Sequence, residues 1–140
     1  MVKSNYKYNP PKYRGIFFLG VNIMVNASIF INRGLLAIAH SHALHFVTTS
    51  YAKHKALGEF YGELEDLLDT FTEAYIGAGG VYVPGFENIK LYNPDPISYV
   101  NSVVIDVNGI YGQCDSHLQN TLDEIKTLCY QTIYKLKQLS

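Results

Sequence analysis

The sequence predicts an all-α fold, an antiparallel four-helix bundle preceded by an irregular basic N-terminal arm. Three observations predict it. Four segments carry apolar residues at the helical spacings of three and four. Residues that cap or stop helices stand between them. The link between the second and third segments is longer than the other two, as in bundles built from two helical hairpins.

Residues 1–16 form the arm. They are rich in Tyr, Lys, Asn and Pro, with Pro10-Pro11, and lack a core of their own. Residues 17–140 form the bundle domain. The first helix is expected from about 17 to 48, with Ile31, Leu35, Ile38, His42, His45 and Thr49 on one stripe. Its early part, with Asn22, Asn26 and Asn32-Arg33-Gly34, is poorer helix material. Thr48-Thr49-Ser50 ends that helix and caps the next. The second helix is expected from about 52 to 77, burying Leu57, Phe60 or Tyr61, Leu64, Leu67 or Leu68, Phe71 and Tyr75, and stopped by Gly77, Gly79 and Gly80. Residues 81–95 connect it to the third. Pro96 suits a first helical position, and Ile97, Val100, Val103 or Val104, Val107 and Ile110 or Tyr111 follow; this β-branched run would also suit a strand, but the spacing favours a helix. The fourth helix is expected from 116 to 138 on Leu118, Leu122, Ile125, Cys129, Ile133 and Leu136, with Lys135 and Lys137 complementing the dipole of its last turn.

At 140 residues the chain is one domain, and 48% hydrophobic against 16% charged residues makes it globular with an apolar surplus that suggests an oligomer. The net charge of −1 hides an asymmetry: the chain carries +7 before Glu59 and −8 from Glu59 onward. The two halves are expected to neutralise each other in the fold or across a subunit interface; the basic half also suits an acidic partner. Cys114 and Cys129 form no metal or redox motif, which fits free thiols in a reducing compartment, a host cytoplasm or a virion. The apolar run Ile16-Phe17-Phe18-Leu19 is interrupted by Gly20 and Asn22, so neither a cleaved leader nor a membrane span is expected there. The sequence has no nucleotide-binding loop and no Ser–His–Asp or Cys–His set.

One constellation carries chemistry. His42 and His45 are three apart on the first helix, His54 opens the second, and Asp69 and Glu73 are four apart further along it, so two antiparallel helices could point imidazoles and carboxylates at one place. This mix of imidazole and carboxylate suits a transition metal, iron, manganese or zinc, better than calcium or magnesium.

The residues from His45 to Gly80 resemble the Dps branch of the ferritin-like superfamily. That branch has a His ending the first helix, followed by an aromatic, as in His45-Phe46. A second His opens the next helix, as His54 does, an Asp-x-x-x-Glu pair follows, as Asp69 and Glu73, and a Gly-Gly closes the helix, as Gly79-Gly80. Residues 123–139 look like the family's last helix, with Tyr134 at an aromatic position. The stretch around His54-Lys55-Ala56-Leu57-Gly58-Glu59-Phe60-Tyr61 also looks like an uncharacterised ferritin-like family of tailed phages.

The resemblance implies a ferroxidase site, iron(II) held by His45 and His54 of one chain and by Asp69 and Glu73 of its two-fold mate, with peroxide or oxygen as oxidant. It implies a homo-oligomer, from a dimer up to a closed twelve-subunit shell. His42 takes the first-helix role in a gapless alignment, and His45 in one with a shorter loop. The chain departs from the pattern at Gly58, where a further acid is usual, and at Ala74, where an Arg is usual. The first expectation is therefore a Dps/ferritin-like metal-binding protein that oxidises and sequesters iron(II). The alternative is a structural or packaging protein of phage type with a degenerate metal site, associated with DNA through Lys3, Lys7, Lys12 and Arg14.

Overall fold

A computed structural model describes residues 26–86 and 92–140. The arm at 1–16, with its four basic residues, and the expected helical stretch at 17–25 lie outside the described residues. Four helices make up the described chain: α1 Ala27–Val47, α2 Tyr51–Gly77, α3 Pro96–Tyr111 and α4 Ser116–Gln138. Among the described residues there is no strand, so the fold is an all-α bundle.

The boundaries follow local chemistry. The Asn26 side chain accepts from the backbone N–H of Ile29 and starts α1. Thr48 and Ser50 are extended, and the Ser50 hydroxyl accepts from the Lys53 N–H, so two residues of turn chemistry reverse the chain. Gly79 has φ of +96°, which a side chain would disfavour. It sits where the N–H groups of Gly79 and Gly80 bond back to the carbonyls of Ile76 and Tyr75, a Schellman closure of α2. Asp95 caps α3 ahead of Pro96 through the N–H groups of Ile97 and Ser98.

Each helix packs against two others: α1 on α2 and α3, and α4 on α2 and α3. The core between them holds Phe30, Ile31, Leu57, Phe60, Leu64, Leu68, Phe71, Val100, Val107, Leu122, Ile125 and Cys129, all essentially out of solvent. For α2, α3 and α4 this is the face that the apolar spacing predicts. On α1 the buried face is turned away from the expected stripe, to Phe30, Ile31, Gly34, Ala37, Ser41 and Leu44, and Leu35 is exposed. A Cβ on Gly34 would stand 2.7 Å from Leu68 Cδ1, so the Leu68 side chain of α2 lies directly on the α1 backbone there. Ser41 lies in this buried seam and satisfies its hydroxyl on the Ala37 carbonyl at 2.6 Å.

The described ends of the link between α2 and α3 both meet α1. The Ser28 hydroxyl bonds the backbone of Val81 and Val83, and Asn32 bonds the Val83 carbonyl and the Tyr82 hydroxyl. Residues 87–91 lie outside the described residues. The link is seen again at Asn93, whose backbone meets His40 Nε2 at 2.9 Å and 3.3 Å. From Ser28 to His40 the link advances along α1 by about 18 Å. His40 is half-buried and stacked between Tyr92 and Tyr99 at 5.1 Å and 3.6 Å, fastening the link and the start of α3 to α1.

Burial pushes the Cys129 thiol up from 9.0 to about 12. Burial, and then the Asp106 carboxylate, push the Tyr99 hydroxyl from 10.0 to about 12. In both cases the folded state keeps a proton that the unfolded chain releases at lower pH, so stability falls as pH rises from about 9 towards 12. Urea midpoints measured across that range are expected to drop steadily. Replacing Cys129 with alanine should flatten the part of the decline below pH 10.

Candidate functional site

The end of α1 and the start of α2 bring two histidines together. His45 Nδ1 is 2.8 Å from the His54 carbonyl, and His54 Nδ1 is 3.0 Å from the His45 carbonyl. A carbonyl oxygen only accepts, so both Nδ1 atoms carry their protons and donate. In the neutral rings each Nε2 then keeps a lone pair. The two rings stack with centroids 3.6 Å apart and planes 23° from parallel. His42, one turn back, sits on the Tyr61 ring at 4.2 Å and on Phe46 at 4.5 Å, and meets His45 edge-on at 5.9 Å. All three imidazoles are half-buried.

Gly58 has a role here that the sequence does not reveal. A Cβ at this position would stand 3.2 Å from His45 Cε1, closer than ordinary contact. The place where a carboxylate is usual in the resembled pattern is therefore given to the His45 ring. The neighbouring Glu59 faces α4 instead. Its carboxylate pairs with Lys135 Nζ at 2.5 Å, and that hydrogen bond and charge hold its pKa below the ordinary carboxylate value.

Asp69 and Glu73 are both exposed on α2. Asp69 lies fifteen residues beyond His54, about 22 Å along the helix axis. Within one chain the carboxylates and the imidazoles do not meet. Among the described residues no group of three or more His, Cys, Asp or Glu is placed to hold a metal ion. Two rings stacked face to face direct their Nε2 lone pairs along nearly parallel planes, so the pair does not converge on a single ion. One chain therefore offers anchored imidazole donors at one end of α2 and solvated carboxylates at the other.

A second polar constellation escapes the sequence reading. Arg33 on α1 pairs with Asp106 on α3 at 2.9 Å, with side chains 19% and 8% exposed. It reads from the sequence as one charge in a poor helical stretch and one in a β-branched run. Only the packing of α1 on α3 shows them as partners.

Over residues 45–136 the chain matches the family described as "Family of unknown function (DUF5856)". The chain belongs to this family. The DUF5856 match opens on His45 and takes in His54, Asp69, Glu73 and the Gly79-Gly80 stop, and leaves His42 outside it. The chain is also similar to a phage protein. It is 38% identical over 106 residues, 74% of this chain and 83% of the relative, to the "Uncharacterized 14.6 kDa protein in mobD-ri intergenic region" of Enterobacteria phage T4. No solved structure matches the chain. Among the described residues no helix is long and apolar enough to cross a membrane.

Proposed function

We propose that this DUF5856 chain is a ferritin-like antiparallel bundle that binds a transition metal, iron(II) foremost, between two copies. The observation that carries the reading is the reciprocal anchoring of His45 and His54. Metal-ligating histidines commonly donate their other ring N–H to a carbonyl or carboxylate, which fixes the tautomer and raises the basicity of the free nitrogen. Both imidazoles satisfy that condition here through backbone carbonyls, and because the stacked rings do not converge each would serve a separate ion. Asp69 and Glu73 of a second copy would supply the oxygen donors that one chain keeps 22 Å away, and His42 is a reserve donor beside His45. With dioxygen or peroxide as electron acceptor, such a centre would oxidise iron(II) to iron(III). The link running along α1 also supports the ferritin-like reading, because one long crossover between two hairpins is the topology of that fold.

A second reading has its own observation. The same stacked rings, paired bonds and Gly58 contact clasp the α1–α2 turn without any metal. A structural bundle of phage type would need nothing more of these histidines. DNA association through Lys3, Lys7, Lys12 and Arg14 belongs with this second reading and rests on residues outside the described ones.

Anaerobic iron(II) titration by calorimetry on metal-stripped protein separates the two. The metal reading expects saturable binding at micromolar iron(II), lost in His54→Ala and separately in Glu73→Ala. Absence of binding by a folded wild-type oligomer would overturn it and leave the clasp.

A further inference from the structure

The charges on α2 run against its own dipole. Lys53 and Lys55 stand in its first turns and no basic residue stands in its last turn, whereas Glu65, Asp69 and Glu73 occupy its second half. Cations near a helix N-terminus and anions towards its C-terminus each cost stability in an isolated helix. Lys55, Glu65, Asp69 and Glu73 are all exposed, and none of them is in an ion pair among the described residues.

Lys55, Gly62, Asp69 and Ile76 lie seven residues apart and share one outward stripe of α2. Tyr51 and Ile76, at the two ends of the stripe, are 77% and 48% exposed. At its middle is Gly62, where an added Cβ would meet nothing within 4 Å.

We infer that this stripe is a self-association surface, on which α2 packs antiparallel against α2 of a second copy about a two-fold axis at Gly62. The axis sets Lys55 of each copy level with the second copy's Asp69, Tyr51 level with the second copy's Glu73, and Glu65 level with the second copy's Glu59, whose charge is met by Lys135 of its own chain. The reversed charge order, unfavourable in one chain, becomes complementary in the pair, and the antiparallel dipoles oppose each other. Gly62 lets the two backbones approach at the axis, where any side chain would face its own copy. The face suffices in size: α2 is about 40 Å long, and with α1 beside it the surface is about 20 Å wide, near the 800 Å² per partner of a stable interface. Phe46, 72% exposed on α1, adds an apolar contact at the rim.

The pairing rests on the two-copy metal site for its use, since it sets His54 near the second copy's Asp69 and Glu73, but its test needs no metal. Sedimentation equilibrium of the full chain in EDTA is expected to give a dimer that weakens as salt rises. Lys55→Glu and Asp69→Lys should each weaken dimerisation about tenfold or more, and the double variant should recover it to within about threefold, because the swapped charges again face each other. Gly62→Arg should give a folded monomer with an unchanged helical spectrum. A wild-type monomer at high concentration, single variants that dimerise as wild type, or a double variant without recovery would overturn the pairing. Dimerisation with this rescue but no iron(II) uptake would overturn the metal site and leave the pairing intact. Iron(II) uptake by a monomer would overturn both the pairing and the two-copy metal site.

Discussion

Replacing Asp106 with alanine is expected to lower the stability of the bundle by about 3–5 kcal/mol, the cost of breaking a buried ion pair from one side. The Arg33 guanidinium is only 19% exposed and its Nε is buried without a hydrogen bond among the described residues, so it has little water to turn to once its partner is gone. The size of the effect comes from the stranded charge, not from the strength of the pair. The double variant Arg33→Met with Asp106→Leu is therefore expected to recover most of the loss, because apolar side chains of similar volume carry no desolvation cost. Urea denaturation followed by circular dichroism on wild type, the single variant and the double variant checks both statements. A double variant as unstable as Asp106→Ala would mean that the pair itself, and not the uncompensated charge, holds α1 to α3.

Phe71→Ala is expected to cost about 3–5 kcal/mol by the same measurement. Phe71 is fully buried near the end of α2, where its ring meets Phe30 edge-on at 5.0 Å. Truncation removes apolar area and opens a void between α1 and α2. Neighbouring side chains can fill that void only in part, because the close approach of Gly34 to Leu68 fixes how near the helices stand. Phe86→Ala is the control: that side chain is 47% exposed and its loss is expected to stay within about 0.5 kcal/mol. Equal effects for the two phenylalanines would contradict the assignment of the core.

The helices were legible because their signals are local. Pro96 behind Asp95, Ser50 before Lys53 and the Gly79-Gly80 stop are read within a few residues, and α2, α3 and α4 form within one residue of where spacing and caps put them. α1 was read less well. Its apolar residues surround much of the helix, so spacing alone could not choose a face, and packing buries the one that holds Phe30, Gly34, Ala37, Ser41 and Leu44. His40 was missed for a related reason. Its partners, Tyr92, Asn93 and Tyr99, are more than fifty residues away in the chain. For the candidate site, spacing put imidazoles and carboxylates in reach of one place, whereas the structure brings only the imidazoles together. Spacing could not say that their Nδ1 atoms would be taken by each other's carbonyls, or that Gly58 would make room for a ring.

By itself the sequence determined the number of helices, their ends and the buried stripes of three of them, because hydrogen bonding at caps and apolar periodicity act over three or four residues. Only the tertiary structure decided which face of α1 is buried, that Arg33 and Asp106 are partners, and that the imidazoles and the carboxylates of one chain lie at opposite ends of α2. Those depend on how closely two backbones can approach and on the rigid rise of a long helix, and neither is set by the identity of any single residue.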